Sequence, residues 1–283
     1  SEHLNTVSWL NFGKLRIGYA EVGSDGDVGF AANQLYYSVN ANLINNPSGT
    51  AVTVGSSGTT VPNANLKPSR VTETEVGLEL KMFNNRVNLD VAAYTKITTD
   101  QIITVQISDA SGFINTQINS GKSSNKGFEA LLNLVPVKKK NFSWEFTANG
   151  SYNKTKALKI ITNTPGERIT VGTHPFNGEV RIVVGEEMEQ IAGYGYATDP
   201  KSGQRIFQTN GLPQRTANLV LFGSALPKWT GGFLNSFTYK GISLSVFVDF
   251  KLGNKMLSGT NFNAYREGLH KNTLEGRVDS VLG

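Results

Sequence analysis

The stretch RVTETEVGLELKMFNNRVNLDVAAYTKITTDQIIT, Arg70–Thr104, decides the fold. Its first half sets Val76, Leu78, Leu80 and Met82 on one face and Glu75, Gly77, Glu79 and Lys81 on the other. Its second half sets Val87, Leu89, Val91 and Ala93 against Asn88, Asp90, Tyr94 and Lys96. Alternation with a period of two marks a strand with one apolar face. Asn84-Asn85, between the halves, tolerates the positive φ that a tight hairpin demands. Both strands are longer than the usual mode of about 5–6 residues. Their polar face carries full charges at successive positions, as a water-filled lumen allows. The stretch reads as a transmembrane β-barrel hairpin with a short periplasmic turn.

The composition agrees with a barrel. The 283 residues include 30 Gly, 15 Phe, 9 Tyr and no Cys, with a mean hydropathy of -0.23. No apolar run approaches the roughly 20 residues of a membrane helix, so any crossing is made by strands. A soluble-looking average is what a barrel shows, because half of each strand faces water. The absence of Cys removes disulfide and thiolate-metal frameworks. The start, SEHLNTVSWL, has neither the basic end nor the apolar core of a signal peptide, so the chain is expected to begin mid-protein or after processing. The net charge of +5 is dispersed; its one run, Lys138-Lys139-Lys140, reads as a solvated turn and not as a nucleic-acid surface.

Outward from the central hairpin the same pattern recurs. Leu15, Ile17 and Tyr19 alternate with Lys14, Arg16 and Gly18 over residues 14–22. Residues 124–136 set Phe128, Ala130, Leu132 and Leu134 against Glu129, Leu131 and Asn133. In Phe142–Lys156, Phe142, Trp144, Phe146, Ala148 and Tyr152 oppose Ser143, Glu145, Thr147 and Asn149. From Trp144 to Tyr152, eight residues at roughly 3.3 Å and a tilt of about 45° rise about 19 Å, near the height of an apolar band between aromatic girdles. Trp229–Tyr239, Lys240-Gly241 and Ile242–Phe250 form a last hairpin, with Asp249 on its polar face. Asn235 and Phe247 each interrupt the pattern of their strand.

The connections alternate. Short ones fall at 84–85, 137–141 and 240–241; long ones at 23–69, 105–123, 161–229 and 252–283. Short periplasmic turns and long extracellular loops are the asymmetry of outer-membrane barrels. Within the loops, Leu35–Ile44, Glu179–Val184 and Arg205–Gln208 read as small hairpins. The expectation is an all-β, antiparallel transmembrane barrel, present in part: about seven strands cannot close a wide barrel.

Catalytic and metal chemistry find little support. His3, His174 and His270 stand in no ligand spacing, and no phosphate-cradling loop or GxSxG elbow occurs. Gly55-Ser56-Ser57-Gly58 reads as a flexible loop. Asp25-Gly26-Asp27 is either a plain turn or the start of a calcium loop that lacks its further ligands. Glu75 and Glu79 lie about 13 Å apart along a strand, too far for paired acid–base work. With Arg16, Asp90, Tyr94, Lys96, Glu129, Glu145 and Asp249 they read as lumen wall. Tyr194, Tyr196 and Phe207, in the longest loop, are the candidate contacts for ligand or partner, with self-packing of the loop as the alternative. No cofactor is expected.

Several of these segments also resemble one family. Asn63-Ala64-Asn65-Leu66-Lys67-Pro68, followed by Glu75-Val76-Gly77-Leu78-Glu79, is similar to the NxxLKPE…ExGLD stretch of TonB-dependent outer-membrane transporters, with Ser69 where an acidic residue is usual. Phe83-Asn84-Asn85-Arg86-Val87, Asn125-Lys126-Gly127-Phe128-Glu129, Phe142-Ser143-Trp144 and above all Ala225–Lys255 resemble the SusC/RagA branch. The resemblance implies a barrel of about 22 strands around a plug domain. It also implies drive from a TonB complex, a SusD-like lipoprotein over the mouth, and import of a glycan or oligopeptide. The plug, the TonB-contacting segment and the remaining strands are expected outside this sequence, so no residue here is assigned to energy coupling. A passive porin, an outer-membrane adhesin or surface binding protein, and a secreted carbohydrate-binding sandwich are the alternatives.

Overall fold

The computed structural model describes residues 8–274, apart from 27, 30, 31, 35, 36, 40–43, 46–50, 53, 54, 163, 175 and 177. Chain order begins with a long strand, β1 (Leu10–Ser24), and five short ones: β2 (Tyr37–Val39), β3 (Ile44–Asn45), β4 (Ala51–Val52), β5 (Gly55–Ser57) and β6 (Thr60–Val61). Four long strands follow, β7 (Ser69–Met82), β8 (Val87–Gln106), β9 (Asn115–Lys139) and β10 (Phe142–Lys159). After them come β11 (Arg168–His174), β12 (Gly178–Val183), β13 (Gln190–Gly193) and β14 (Val220–Ser224), then β15 (Trp229–Tyr239), β16 (Ile242–Leu252) and the helix α1 (Gly259–Arg266). The main sheet runs β1-β7-β8-β9-β10-β15-β16, antiparallel throughout, with β6 added in parallel beside β9. It is open, and among the described residues β1 and β16 each have a single neighbour.

Register carries the alternation across all seven long strands. Residues directly opposite share a face. Ile17, Val76, Ala93, Phe128, Tyr152 and Trp229 form one apolar row, and Leu15, Leu78, Val91 and Ala130 the next. The opposite face pairs Arg16 with Gly77, Glu79 with Asp90, and Ala92 with Glu129. Among the described residues no layer of protein covers the apolar face: Ile17 is 75% exposed, Val76 47% and Phe128 44%. The described residues include no large side chain that is fully buried. A sandwich needs a second packed sheet; none lies on this wall among the described residues, and lipid is what its apolar face fits.

Aromatic pairs mark the two ends of the apolar band. Tyr152 and Trp229 approach to 4.8 Å between ring centroids, and Trp144 stacks on Phe237 at 5.9 Å. The two interruptions seen in the sequence resolve here. Asn235 stands on the apolar face because its side-chain oxygen accepts the Trp144 indole N–H at 3.1 Å. Phe247 stands on the polar face beside Gly232, which has no Cβ to obstruct it.

The turns at one edge are tight. Phe83, Asn84 and Asn85 all have positive φ, and Asn11 from the neighbouring strand accepts the Asn84 and Asn85 amides at 2.8 and 3.3 Å. Lys240 and Gly241 also have positive φ, the I′ geometry that matches strand twist.

The connection expected at 105–123 is shorter than composition suggested. β8 and β9 stay paired out to Gln106 and Asn115, so only 107–114 is loop. Polar residues on both faces of 115–123, Ile118 apart, hide the start of β9 from a search for alternation. Likewise Gly55–Ser57 is no free loop but pairs with Tyr37–Val39. The hairpin expected within Leu35–Ile44 does not form as such: Tyr37–Val39 and Ile44–Asn45 pair with later strands, and 35, 36 and 40–43 lie outside the described residues. Segment 161–229 contains a second sheet, β11-β12-β13-β14, which holds half of the buried apolar side chains among the described residues: Val183, Ile191 and Ala192. The Glu179–Val184 hairpin is β12 paired with β11.

Facing can be tested by single charges. Val91→Arg on the apolar face should cost about 2–4 kcal/mol in lipid if near the midplane. Glu129→Arg on the other face should cost less than about 0.5 kcal/mol. Denaturant titration of the whole protein folded into lipid vesicles checks this; equal costs would contradict the two-faced reading.

Candidate functional site

The polar face of the wall brings most of the predicted charged residues together. Arg16 reaches across β7 to Asp90 on β8 through two hydrogen bonds, of 2.7 and 3.1 Å. It can lie flat because Gly77, directly opposite it, has no side chain; a Cβ there would meet the guanidinium at 2.7 Å. Tyr94 lies in the same way over Gly127, where a Cβ would clash with its ring, and its hydroxyl accepts from the Asn153 amide at 3.3 Å. Lys96 pairs with Glu73 at 2.9 Å, and Glu79 with Lys81 at 3.6 Å. Arg16, Glu75, Asp90, Glu129, Asn149, Ser151 and Asp249 line one shallow hollow of about 640 Å³. Glu145 stands apart, opposite Ser236 near the short-turn edge. These half-exposed pairs are screened by water and add little to stability. They organise the surface more than they hold the sheet.

The motif residues at 63–68 have a structural use. The Asn63 side chain accepts the Asn65 amide at 3.0 Å and donates to the Gln117 carbonyl at 2.8 Å. Asn119 accepts the Lys67 amide and donates back to the Lys67 carbonyl, at 2.8 and 2.7 Å. The motif is thus a turn stapled onto the upper end of β9.

Above the Tyr152–Trp229 pair, β10 continues without β15. Its backbone is taken up instead by 185–188: Met188 N–H donates to Thr155, Ala157 N–H to Glu186, and Gly185 N–H to Ala157. Glu187 anchors this junction, 2.9 Å from Lys228 and 3.4 Å from Lys154. Burial pushes its carboxyl up, but hydrogen bonds and charge from Lys228 and Lys154 outweigh that, leaving its pKa below the usual carboxylate range. Neither Glu187 nor its lysines stood out in the sequence, since a clamp between distant segments leaves no periodic trace.

Beyond the small sheet, residues 194–216 form a separate tip. Arg205 stacks on Tyr196 at 4.5 Å and Arg215 on Tyr194 at 4.4 Å. Phe207 lies opposite Pro213 and is 58% exposed. Both predicted tyrosines and Phe207 therefore sit together on the surface, and the arginines that accompany them were missed. The Arg205–Gln208 stretch is not a hairpin by itself; Thr198 pairs with Arg205.

Metal chemistry gains nothing. No group of three or more His, Asp or Glu residues is arranged for a metal among the described residues. His174 borders a cleft beside Phe176, and His270 stacks on Tyr265 at 4.0 Å. His3 and Asp27 lie outside the described residues.

Two predictions follow from these contacts. Gly127→Ala should cost about 1–3 kcal/mol by overpacking against Tyr94. Gly150→Ala, with no heavy atom within 4 Å of the new methyl, should cost less than about 0.5 kcal/mol; thermal unfolding of the two variants checks the contrast. For Glu187, the lowered pKa means that its contribution is present above the ordinary glutamate range and is lost as pH falls through the folded value. Radical footprinting of 184–189 should therefore rise as an acid titration carries the pH from neutral to below the ordinary glutamate range and through the lowered folded value, and Glu187→Gln should show the raised level throughout.

Comparison with known proteins places this geometry. Residues 6–279 match the family model described as TonB dependent receptor-like, beta-barrel. TonB-dependent receptor P26 of Formosa agariphila is 29% identical over 270 residues, covering 89% of this chain and 27% of that protein. TonB-dependent receptor SusC of Bacteroides thetaiotaomicron is 28% identical over 215 residues, covering 74% and 20%. Among solved structures, the RagAB peptide transporter superposes with a TM-score of 0.67 at 23% identity, over 87% of this chain and 27% of that one. The chain thus spans about a quarter of the length of these relatives. Receptors of this kind are transporters, not enzymes, and sit in the outer membrane. The chain belongs to the TonB-dependent receptor family, as part of the barrel wall of a SusC/RagA-type member.

Proposed function

We propose that this chain is a section of wall in a TonB-dependent importer that takes up a large nutrient, a glycan or an oligopeptide, under a SusD-like lipoprotein lid. The observation that carries the reading is the polar face. An adhesin needs only loops, whereas here charged and amide side chains cover the face turned from lipid in ordered rows, from Lys14 and Glu79 to Asp249. In this reading Arg16, Glu75, Glu79, Asp90, Tyr94, Lys96, Glu129, Glu145 and Asp249 line the lumen. The long connections 25–68, 107–114, 160–228 and 253 onward lie outside the cell, and the tight turns face the periplasm. Plug and TonB contacts belong to other parts of such a receptor. The 194–216 tip, with Tyr194, Tyr196 and Phe207, meets the lid or the chamber beneath it.

The tip can be removed cleanly. Gly195 and Thr216 already lie side by side, the Thr216 amide donating to the Gly195 carbonyl at 2.9 Å. Excising 196–215 and joining these two residues should leave barrel assembly intact, judged by heat-modifiable migration. It should also weaken recovery of the lipoprotein with the receptor, or abolish nutrient-dependent growth. Unchanged complex and unchanged growth would reduce the tip to surface cover.

A further inference from the structure

The 194–216 tip has an unusual construction. Three short segments are tied in a closed ring of backbone hydrogen bonds. Ala197 N–H donates to Gln214 at 2.8 Å, Gln214 N–H to Ile206 at 2.8 Å, and Ile206 N–H back to Ala197 at 2.9 Å. Each segment thereby pairs with both others, which fixes a small prism without a hydrophobic core. The turn that joins the first two is held by Asp199. Its carboxylate accepts the Ser202 amide at 2.7 Å, the Ser202 hydroxyl at 2.9 Å and the Lys201 amide at 3.0 Å. Those bonds, the Ser202 amide foremost, all fall on Oδ1 and hold the Asp199 carboxyl below its usual pKa, so it stays charged within its own turn. The tip is ordered before any partner arrives.

Its surface chemistry is one-sided. Tyr196 stands between two arginines, stacked under Arg205 and opposite Arg215, which in turn stacks on Tyr194. Neither arginine forms an ion pair among the described residues. Lys201 adds a third cation, against the one acid already engaged by its own turn. Residues 201–212 are exposed without exception, with Leu212 at 61% and Phe207 at 58%. A stacked guanidinium loses little further entropy on binding and presents a rigid fork matched to a carboxylate. Arginine and tyrosine are the residues enriched where interface energy concentrates.

We propose that this tip is the knob by which the receptor docks an acidic, apolar-pocketed face of its lipoprotein lid, with Arg205 and Arg215 pairing carboxylates and Phe207 and Leu212 entering the pocket. The inference rests on the reading that such a lid exists. Charge complementarity selects an acidic partner surface, because the tip carries three cations, Lys201, Arg205 and Arg215, against the single acid Asp199. The stacking on its two tyrosines favours a protein over a sugar chain. Stacking on a sugar needs an open aromatic platform, and both tyrosines here carry a guanidinium on one face.

The test uses the full-length receptor and its purified lipoprotein, with dissociation constants measured at about 0.05 and 0.5 M salt. The wild-type complex should weaken with salt. Arg205→Glu with Arg215→Glu should weaken it roughly tenfold or more, through loss of charge pairs and new repulsion. Arg205→Lys with Arg215→Lys should fall between, and Tyr196→Phe, which keeps the stack, should match wild type. Heat-modifiable migration verifies that every variant is folded. A wild-type receptor that binds no lipoprotein sinks the lid reading and this inference together. Binding that charge reversal and salt leave unchanged overturns this inference alone. So does a variant that keeps the lipoprotein but loses an anionic cargo bound by the lid-free wild type, which would make the tip a ligand site.

Discussion

In hydrocarbon no backbone N–H or C=O can turn to water, and each one left unpaired costs several kcal/mol. That constraint shapes the wall. From β1 to β16 every strand between the edges is paired on both sides, and the ladders run with few irregularities across the apolar band. The register shifts fall near the ends, between Trp144 and Phe146 and above Thr98, where water can absorb the mismatch. Where β15 ends before β10 does, the chain supplies 185–188 as a substitute neighbour, so the demand for pairing is met even past the girdle. Side chains then decide only which face meets lipid.

The barrel was legible because that demand leaves a regular trace. Alternation in Arg70–Thr104, Phe142–Lys156 and Trp229–Phe250 names the strands, and Asn84-Asn85 and Lys240-Gly241 name the turns. Legibility failed where the trace stops. Asn115–Ser123 is polar on both faces apart from Ile118, so composition suggested a loop at 105–123 although the ladder with Gln101–Gln106 continues. Strands β11 to β14 are short and pair across gaps of up to 26 residues, between Gly193 and Val220, which no local window can see. Asn235 and Phe247 seemed errors in the pattern because their reasons, Trp144 and Gly232, lie on other strands.

The candidate site divides along the same line. Arg16, Glu75, Asp90, Glu129 and Asp249 were found by parity alone, since the face of a strand residue follows from its position. Which of them pair did not follow, because Arg16 chooses Asp90 through the space above Gly77. In the 194–216 tip the aromatic residues were visible by type, while Arg205 and Arg215 gain meaning only from stacking across the ring of hydrogen bonds.

The glycines beneath large side chains have a consequence for assembly. A strand that slips by one residue turns its apolar side to water and is rejected at once, but a slip by two keeps every apolar residue facing lipid. Hydrophobicity cannot tell the true partner from that impostor. Arg16 over Gly77 and Tyr94 over Gly127 can, because a slip by two would set Arg16 against Glu75 or Glu79 and Tyr94 against Asn125 or Glu129. Each glycine works as a notch cut for one key, and the two notches let β1, β7, β8 and β9 find one alignment among several of similar oiliness.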